Sequence, residues 1–576
     1  MSQNIDVTNY VIGDCGATKM TEFVYLADVL DKVSRTRKRT EKINLVGKFL
    51  RRLQSEEVSI AALFLSGKVF AESDQRTLNI SWRGLLNALK SVVDINDKAL
   101  SQAYEGDTGE AVAKILTTSK KSRQSTLFSE PLSLASVSQT FDKIANAQGR
   151  GSLKEKQSLL TSLLMEASPR EARYLTAIVL EDMRTGLSEG LLADAISVGF
   201  DIDAALVRRA WSFNGNLGEV ARLASVGGAK ALQVISVQLM RGIKPMLASP
   251  VQDIETLFEN QPKEYSFELK LDGARVQIHK ERNEVRIFSR RLSDVTESLP
   301  EIVSVVRKKT KANKIILDGE VLAVDSEGKP FPFQAVMKRF GRTRDIEEAF
   351  KDTRLLLVLF DVILIEDVQL VDRPYFERRN KLEEIMPIEM LVERIVTNDV
   401  ATVQTFFKKS KKLGHEGLVA KELDSPYTPG IRGKYWFKIK HTLDTLDLVI
   451  VAAEWGHGRR KDWLSDYHLA VRDDESGEFL VVGKTYKGFT DKEFQEITQK
   501  LLELKVESHR HIVEVKPEIV VEVIASEIQE SPTYVSGMAL RFARINRIRE
   551  DKGPIDAMTL DELKQLYEKQ FRFKAR

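Results

Sequence analysis

The spacing of apolar residues changes at about residue 245, and this change constrains the architecture more than any other feature of the chain. Before it, apolar residues recur at helical spacing, as in residues 171–184, and strand-like runs are scarce. Beyond it, short apolar or alternating runs are typical of strands. A chain of 576 residues is also too long for a single hydrophobic core. The sequence therefore predicts a multidomain protein with a helical part followed by sheet-containing parts.

The domain boundaries that we predict follow these shifts of pattern. Residues 1–20 are polar and weakly patterned, which predicts a disordered leader and leaves Met20 as an alternative start. Residues 21–244 form an all-α domain, and residues 245–250, with a proline at each end, are typical of a linker. Residues 245–440 form an α+β domain, because helical patterns separate its strands.

Residues 441–576 are predicted to be rich in strands. A small barrel of about five strands with an inserted helix fits an OB-fold. The chain ends in a charged amphipathic helix that begins near residue 559 with acidic residues in its first turn. The strands are predicted at 446–453, 467–471, 479–482 and 518–523, and the inserted helix at 491–504.

Composition excludes several classes of protein. The single cysteine, Cys15, rules out a disulfide framework and any zinc site built on two or more cysteines. No run of eighteen apolar residues predicts a transmembrane helix, and the N-terminus lacks a signal-peptide pattern. We therefore expect a cytoplasmic protein without a membrane partner. Because the net charge is only +3, a nucleic-acid surface would need local clustering of basic residues.

Residues 270–275 (Lys-Leu-Asp-Gly-Ala-Arg) follow a strand-like run and carry the strongest chemical signal. A lysine is a weak nucleophile at neutral pH because its unperturbed pKa is about 10.4. A covalent role for Lys270 therefore requires neighbours that disfavour the ammonium form, and Arg275 is one candidate. Taken alone, the hexapeptide is also compatible with a hairpin turn of solvated charges, so the segments that follow it decide between the two interpretations.

Several later segments place polar side chains at strand ends. Glu320 follows a buried strand, where a carboxylate can hold a ribose hydroxyl or a metal, or simply belong to a turn. Phe360 precedes Asp361 and could stack on a base or belong to the core. In residues 416–421, an acid and a lysine flank another apolar strand.

Residues 436–440 (Trp-Phe-Lys-Ile-Lys) alternate, so that Trp436, Lys438 and Lys440 share one face. Arg432 comes shortly before them. Like charges on one face repel unless an anion lies between them. This arrangement favours phosphate binding over an ordinary solvated strand.

Taken in order, these segments resemble the nucleotidyltransferase motifs of ATP-dependent DNA ligases, most closely the archaeal replicative type. Ala543 departs from the pattern, since the family usually has proline there, but no catalytic role is implied for that position. The resemblance covers nearly the whole chain beyond Met20. The motifs are residues 270–275, 289–291, 317–320, 360–361, 416–421, 436–440 and 541–552.

The resemblance implies ATP-dependent sealing of nicks in duplex DNA, in replication, repair and recombination, by three steps. Lys270 attacks the α-phosphate of ATP and forms a lysyl-AMP, AMP moves to a 5′-phosphate, and the 3′-hydroxyl then displaces AMP. Lys438 and Lys440 would neutralise charge on the α-phosphate and disfavour protonation of Lys270. Arg549 and Lys552 would orient the departing pyrophosphate from a mobile barrel.

The resemblance also implies the remaining nucleotide and metal contacts. Mg²⁺, or Mn²⁺ in its place, is needed to bridge phosphate oxygens. Its first candidate ligand is Glu416 and its second is Glu320. The other implied contacts with ATP or AMP are Glu268 through its backbone, Phe360 by stacking, Glu320 and Arg275 near the ribose, and Arg290 and Arg432 with phosphates.

The helical domain is implied to bind duplex DNA through its phosphates rather than by reading sequence. Arg184 and Gly186 are candidate contacts, although a helix end explains them nearly as well. Gln124, Leu127 and Phe128 lie in a basic, serine-rich segment that resembles the sliding-clamp peptide of archaeal ligases. A plain loop is the alternative. We expect a monomer that associates with the nucleoid.

Two other classes stay open on the residues alone. An RNA ligase or mRNA-capping enzyme shares the Lys-x-Asp-Gly motif and the barrel, but the large helical domain favours duplex DNA. A DNA-binding scaffold without activity would not need Lys270. An NAD-dependent ligase is disfavoured, because that family carries a four-cysteine zinc site and this chain has one cysteine.

Overall fold

The computed structural model describes residues 20–72, 74–95, 103–104, 107–118, 131–251, 253–337, 354–430, 432–440, 445–456, 460–509 and 511–570. The chain divides into two compact units. The first comprises residues up to 211 together with 216–235, and the second comprises 212–215 and 236 onward. Residues 1–19, for which a leader was predicted, lie outside the described part.

The described part of the first unit is built from helices around one apolar core. Several helices begin at side-chain caps, as where Ser168 accepts a hydrogen bond from the backbone N–H of Glu171 and the Glu171 carboxylate accepts one from the Ser168 N–H. The helices are Phe23–Arg35, Arg39–Leu50, Ser55–Leu65, Trp82–Val92, Thr108–Thr118, Leu134–Asn146, Ser152–Glu166, Pro169–Val179, Glu189–Phe200, Ala204–Asn214 and Leu217–Gln233, of which Ala204–Asn214 runs into the second unit at residue 212.

One predicted helix is shorter than its apolar spacing suggests. The sequence predicts a helix across residues 171–184, but the helix ends at Val179. Glu181 and Arg184 both have positive φ, +55° and +46°, and Gly186 follows at +63°. Left-handed residues cannot continue a right-handed helix, so the apolar pattern overruns the true end.

Two five-stranded sheets form the middle of the second unit. In the first sheet the strand order is β1-β10-β9-β2-β8, and in the second it is β4-β3-β5-β6-β7. Helices Ile254–Asn260, Pro300–Lys309, Phe333–Met337, Tyr375–Ile385 and Val400–Lys412 accompany them. The strands are β1 (Leu247–Pro250), β2 (Tyr265–Lys270), β3 (Ala274–Glu281), β4 (Glu284–Ser289), β5 (Lys314–Val324), β6 (Arg354–Ile365), β7 (Val368–Gln369), β8 (Arg394–Thr397), β9 (Gly417–Glu422) and β10 (Arg432–Lys440).

The segment predicted as a linker is partly a strand. Residues Leu247–Pro250 form the edge strand β1, which pairs in parallel with β10. Pro250 is tolerated because an edge strand leaves one row of N–H groups unpaired. Glu320 likewise lies within β5 rather than at its end, since the apolar residues after it continue the strand to Val324.

Residues 240–246 are hydrogen-bonded to the side chains of every second residue of β3, namely Arg275, Gln277 and His279. The Arg275 Nη1 donates to the Met246 carbonyl at 2.6 Å, and the Ile243 N–H donates to Gln277 Oε1 at 2.8 Å. The Met240 N–H donates to His279 Nδ1 at 3.1 Å. Burial lowers the pKa of His279 to about 3, so the ring is neutral and its Nε2–H faces Gln277 Oε1 at 2.9 Å. This segment is therefore part of the folded unit.

The C-terminal part of the second unit is dominated by an antiparallel sheet of order β13-β12-β11-β15-β14, with β18 paired to β15. Helix Asp491–Glu503 packs into its core, and helix Leu560–Gln570 ends the described chain. Among the described residues no helix has the length and apolar content to cross a bilayer. The strands are β11 (Leu446–Trp455), β12 (Leu464–Arg472), β13 (Phe479–Thr485), β14 (Lys505–His509), β15 (Ile512–Ile524), β16 (Glu527–Glu530), β17 (Met538–Arg541) and β18 (Arg544–Ile548).

Candidate active site

One face of the first sheet collects the charged side chains that the sequence singled out. In the register, Lys270 of β2 and Lys440 of β10 both lie opposite Gly417 of β9. Glu268 and Lys438 both lie opposite Val419 in the same way. Because directly opposed residues share a face, Glu268, Lys270, Lys438 and Lys440 are on the same side of the sheet.

The Glu416 carboxylate lies between two lysine ammonium groups. Its Oε2 is 2.9 Å from Lys270 Nζ and 2.5 Å from Lys440 Nζ. Burial alone would raise the pKa of Glu416, but the two lysines outweigh it and lower that pKa to about 2. The structure thus places a carboxylate of the chain itself between Lys270 and Lys440.

Glycine is required where the strands approach each other around Lys270. Gly417 has φ of +140°, and a Cβ there would lie 2.1 Å from the Ile439 carbonyl oxygen. A Cβ on Gly273 would lie 2.4 Å from the Val321 carbonyl oxygen. Both contacts are far inside van der Waals distance, so any larger residue would push β9 and β10 apart or displace β5.

Glu320 lies on β5 opposite Arg275 of β3. Burial raises the pKa of Glu320 to about 7, although the positive charges of Lys270 and Arg275 oppose the rise. A carboxyl group with such a pKa near neutral pH is typical of a functional site rather than of a surface.

Replacing Glu320 by Gln is expected to stabilise the protein at alkaline pH. The carboxyl ionises near pH 4.5 in the unfolded chain and near 7 in the folded one, so the unfolded state loses its proton first and stability falls as pH rises through this window. Above pH 7 the full cost is about 3 kcal/mol, which Glu320→Gln removes. We expect a higher melting temperature than wild type at pH 8 and none of this gain at pH 4.5. Exposed Glu327→Gln is the control, and an equal gain at both pH values would contradict the prediction.

Arg275 is held in place by hydrogen bonds within the middle domain. Its Nε and Nη2 donate to Asp318 at 3.0 and 2.6 Å, and Tyr427 donates to the same carboxylate at 2.6 Å. The guanidinium carbon is 5.3 Å from the centre of the Phe360 ring. Arg275 therefore orders the wall of the site beside Phe360.

The lysine at the end of residues 416–421, to which the sequence analysis assigned no role, is buried and joins three of the predicted segments. Lys421 Nζ lies 2.7 Å from Glu268 Oε2, and Tyr375 donates to the other oxygen of that carboxylate. The same ammonium lies 4.2 Å from the Trp436 ring centre and 4.6 Å from that of Phe360. Burial lowers the pKa of Lys421, although Glu268 and Asp361 oppose the effect. In the sequence, the only indication of a role for Lys421 was its position at the end of the motif 416–421.

Asp361, beside Phe360, is fully buried and bound to Arg378. The Arg378 Nε and Nη2 donate to its two oxygens at 2.8 and 2.9 Å, and both side chains have 0% exposure. Arg378 also donates to the backbone carbonyls of Arg373 and Ser425. The pair fixes β6 to helix Tyr375–Ile385.

The two predicted pyrophosphate contacts lie in the C-terminal part, where both bind one acid. Arg549 Nη1 is 2.9 Å from Asp447 Oδ1, and Lys552 Nζ is 2.7 Å from Asp447 Oδ2. All of their ion pairs among the described residues are with acids of this part. Asp447 carried no sequence signal, because it precedes Arg549 by about a hundred residues.

The other candidate residues fall in several places. Arg290 follows β4 and, with Arg275 and Asp318, lines a small cavity. Arg432 begins β10 opposite Leu247. In the first unit, Arg184 Nε donates a hydrogen bond to Asp182 at 2.8 Å. Gly186 directly follows Thr185, whose carbonyl accepts a hydrogen bond from buried Lys42 at 2.5 Å. The clamp-peptide residues Gln124, Leu127 and Phe128 lie outside the described residues.

Comparison with known proteins identifies the family. The family model described as "ATP dependent DNA ligase domain" matches residues 245–440, "DNA ligase N terminus" matches 22–197, and "ATP dependent DNA ligase C terminal region" matches 460–552. The chain belongs to the ATP-dependent DNA ligase family. Its architecture is accordingly a helical N-terminal domain, a central adenylation domain and a strand-rich C-terminal domain.

Curated relatives extend over nearly the whole chain. A "DNA ligase" of Thermococcus onnurineus (strain NA1) is 42% identical over 566 residues, covering 97% of this chain and 100% of its own length. "DNA ligase 1" of Korarchaeum cryptofilum (strain OPF8) is 42% identical and covers 95% and 98%. A solved structure named Pmar-Lig_PreS3 aligns with a TM-score of 0.57 at 17% identity, covering 91% and 99%, which supports the fold alone. The activity is therefore that of an ATP-dependent DNA ligase.

Proposed function

We propose that Lys270 is the nucleophile with which this ligase seals nicks in duplex DNA. The observation that carries the proposal is the shared face of the first sheet, on which Lys270 lies 2.9 Å from Glu416 and opposite the basic strand β10. A primary amine among groups that bind anions is the arrangement that attack on a nucleotide phosphate requires.

In the first step, the neutral Lys270 amine attacks the α-phosphorus of ATP. A P–N bond forms, the bond from that phosphorus to the bridging oxygen breaks, and pyrophosphate leaves. Before attack, the Lys270 ammonium must transfer its proton to water and give up its contact with Glu416. Lys438 and Lys440 assist by stabilising negative charge on the α-phosphate.

The second and third steps transfer AMP and release it. An oxygen of the 5′-phosphate at the nick attacks the lysyl-AMP phosphorus, the P–N bond breaks, and the Lys270 amine is regenerated. The 3′-hydroxyl then attacks the 5′-phosphate phosphorus and loses its proton to water, a phosphodiester bond forms, and the P–O bond to AMP breaks so that AMP leaves with the electron pair. Neither of these two steps needs Arg549 or Lys552, which are proposed to orient pyrophosphate.

The nucleotide pocket is proposed to lie between the two sheets beside Lys270. Phe360 would stack on adenine, the backbone of Glu268 would contact the base, and Arg275 and Glu320 would lie near the ribose. The buried Lys421–Glu268 pair and the Arg275–Asp318 pair support this assignment, because both hold polar groups in fixed positions at this wall. Arg290 and Arg432 are proposed to bind phosphate.

The donor set fits a divalent cation that is shared with substrate. Mg²⁺ is usually bound by one or two carboxylates together with phosphate oxygens and water. Glu416 and Glu320 supply such carboxylates, and both interact with Lys270. Within the described ranges, no cluster of three or more His, Cys, Asp or Glu residues could hold a metal without substrate. Bound Mg²⁺, or Mn²⁺ in its place, would neutralise phosphate charge.

The remaining parts of the proposal concern DNA and partners. Residues 21–244 are proposed as the DNA-binding domain, with Arg184 and Gly186 at the phosphate backbone, and residues 441–576 as an OB-fold that reorients between steps. Gln124, Leu127 and Phe128 are proposed to bind a sliding clamp. The enzyme is proposed to act as a cytoplasmic, nucleoid-associated monomer.

Intact mass tests the proposal directly. After incubation with ATP and Mg²⁺ we expect a gain of one AMP, and its loss when nicked duplex DNA is added. Parallel incubations with NAD and GTP test the nucleotide. An adduct that is discharged only by a nicked RNA end would favour an RNA ligase instead, and no adduct with any nucleotide would contradict the assignment of Lys270.

A further inference from the structure

Asp447 is the shared acceptor of two cations that lie close together in the C-terminal part. Arg549 Nη1 lies 2.9 and 3.2 Å from its two oxygens, and Lys552 Nζ lies 2.7 Å from Oδ2. Asp447 is the second residue of β11, and its side chain is 17% exposed, against 14% for Arg549. The Asp447–Arg549 pair is thus partly shielded from water, where ion pairs are screened less than at full exposure.

The surroundings of Asp447 explain why both cations stay there. Asp447 lies directly opposite Glu522 on the neighbouring strand β15, and two opposed acids repel. Arg549 Nη1 is also 3.6 Å from Glu522 Oε2, so it bridges the two acids. The Nε and Nη2 of Arg549 donate to Asp551 at 2.9 and 2.7 Å. Each guanidinium nitrogen of Arg549 therefore has an acidic partner.

We infer that Asp447 is a positioning residue that serves as an internal counter-ion for Arg549 and Lys552 and competes with the pyrophosphate part of the substrate for them. The inference rests on the proposed role of these two cations in orienting pyrophosphate.

Carboxylate and phosphate oxygens accept hydrogen bonds from the same donors, so the two anions compete for one set of N–H groups. Two neighbouring cations also repel each other, and an anion between them offsets this repulsion; Asp447 provides that anion until phosphate replaces it. Asp447 is a better candidate for the exchange than Asp551, because it alone holds both cations, and Asp551 is 66% exposed. Removal of the Asp447 charge should therefore strengthen pyrophosphate binding without changing the chemistry at Lys270.

The test uses the reverse of the first step in the full-length enzyme. A pyrophosphate oxygen attacks the lysyl-AMP phosphorus, the P–N bond breaks, and the amine leaves as ATP forms. For Asp447→Asn we expect half-maximal discharge at a pyrophosphate concentration about two- to five-fold lower than for wild type, the range of a partly exposed ion pair. The rate at saturating pyrophosphate and the sealing of pre-adenylated nicked DNA should be unchanged.

Glu550→Gln is the matched control. It changes the net charge by the same amount and is the neighbour of Arg549 in the chain, but its side chain is 82% exposed and lies 3.6 Å from Lys500. We expect its pyrophosphate dependence to equal that of wild type. Melting temperatures check that each variant is folded, and Asp447→Asn relieves repulsion with Glu522 rather than creating it.

Lys552→Met separates failure of this inference from failure of the proposed function. If Lys552→Met needs more pyrophosphate while Asp447→Asn needs as much as wild type or more, the cation pair keeps its role and competition by Asp447 is refuted. If Lys552→Met has wild-type dependence, the proposed role of Lys552 falls and the inference falls with it. A lower requirement in Asp447→Asn together with a higher one in Lys552→Met supports both.

Discussion

Lys270→Ala is expected to take up no AMP from ATP and Mg²⁺ and to seal no nick with a 5′-phosphate. The variant has no amine on the sheet face that carries Glu416 and Lys440, so the P–N bond cannot form. Lys270→Arg should fail as well, because a guanidinium stays protonated and cannot act as the nucleophile. The measurement is intact mass of the protein, together with a gel assay of labelled nicked DNA.

The same variant provides its own control. Sealing of a nick that already carries AMP on its 5′-phosphate needs no lysyl-AMP, so Lys270→Ala should retain this third step. Lys263→Ala is the matched control for adenylylation, because Lys263 adjoins the same strand and is likewise ion-paired with a glutamate, Glu422 at 2.8 Å, but has no proposed role in the reaction. An AMP adduct on Lys270→Ala would show that another residue is the nucleophile.

Asp361→Ala is expected to lower the free energy of unfolding by about 3–5 kcal/mol, the usual cost of removing one partner of a buried ion pair. The Arg378 guanidinium would keep its two backbone acceptors but would lose both carboxylate bonds in a site with 0% exposure. The variant should melt at a lower temperature than wild type, as measured by calorimetry.

A surface acid of the same domain provides the comparison for Asp361. Asp367 is 86% exposed and pairs with Lys314 at 2.9 Å, so Asp367→Ala should change the free energy of unfolding by no more than about 1 kcal/mol. Equal melting temperatures for the two variants would show that the buried pair contributes no more than a surface pair.

The sequence predicted the strands of the middle domain well where apolar runs were long. Residues 315–324 and 355–365 are long, mostly apolar runs, which predict buried strands, and they form β5 (Lys314–Val324) and β6 (Arg354–Ile365). The alternation of residues 436–440 also placed Trp436, Lys438 and Lys440 on one face, as the register shows. Alternation along one strand can be read from the sequence alone, because it depends only on neighbouring residues.

Contacts between distant segments could not be predicted in this way. Nothing in the spacing indicates that Glu416 binds Lys270 and Lys440, or that Lys421 binds Glu268, because these partners meet only after the strands pair. Short strands such as β17 (Met538–Arg541) were missed because four residues show no clear period. The end of helix Pro169–Val179 was missed because positive φ at Glu181 and Arg184 has no signature in polarity.

The three hydrogen bonds between β3 and residues 240–246 bear on how the second unit can be expressed by itself. A fragment that begins at residue 247 would leave Gln277 and His279 without their backbone partners and Arg275 without the Met246 carbonyl. Buried polar groups that lose their partners cost about 1–3 kcal/mol each. A fragment cut at the start of β1 would therefore fold poorly. A fragment that starts at residue 236 retains all three hydrogen bonds to β3.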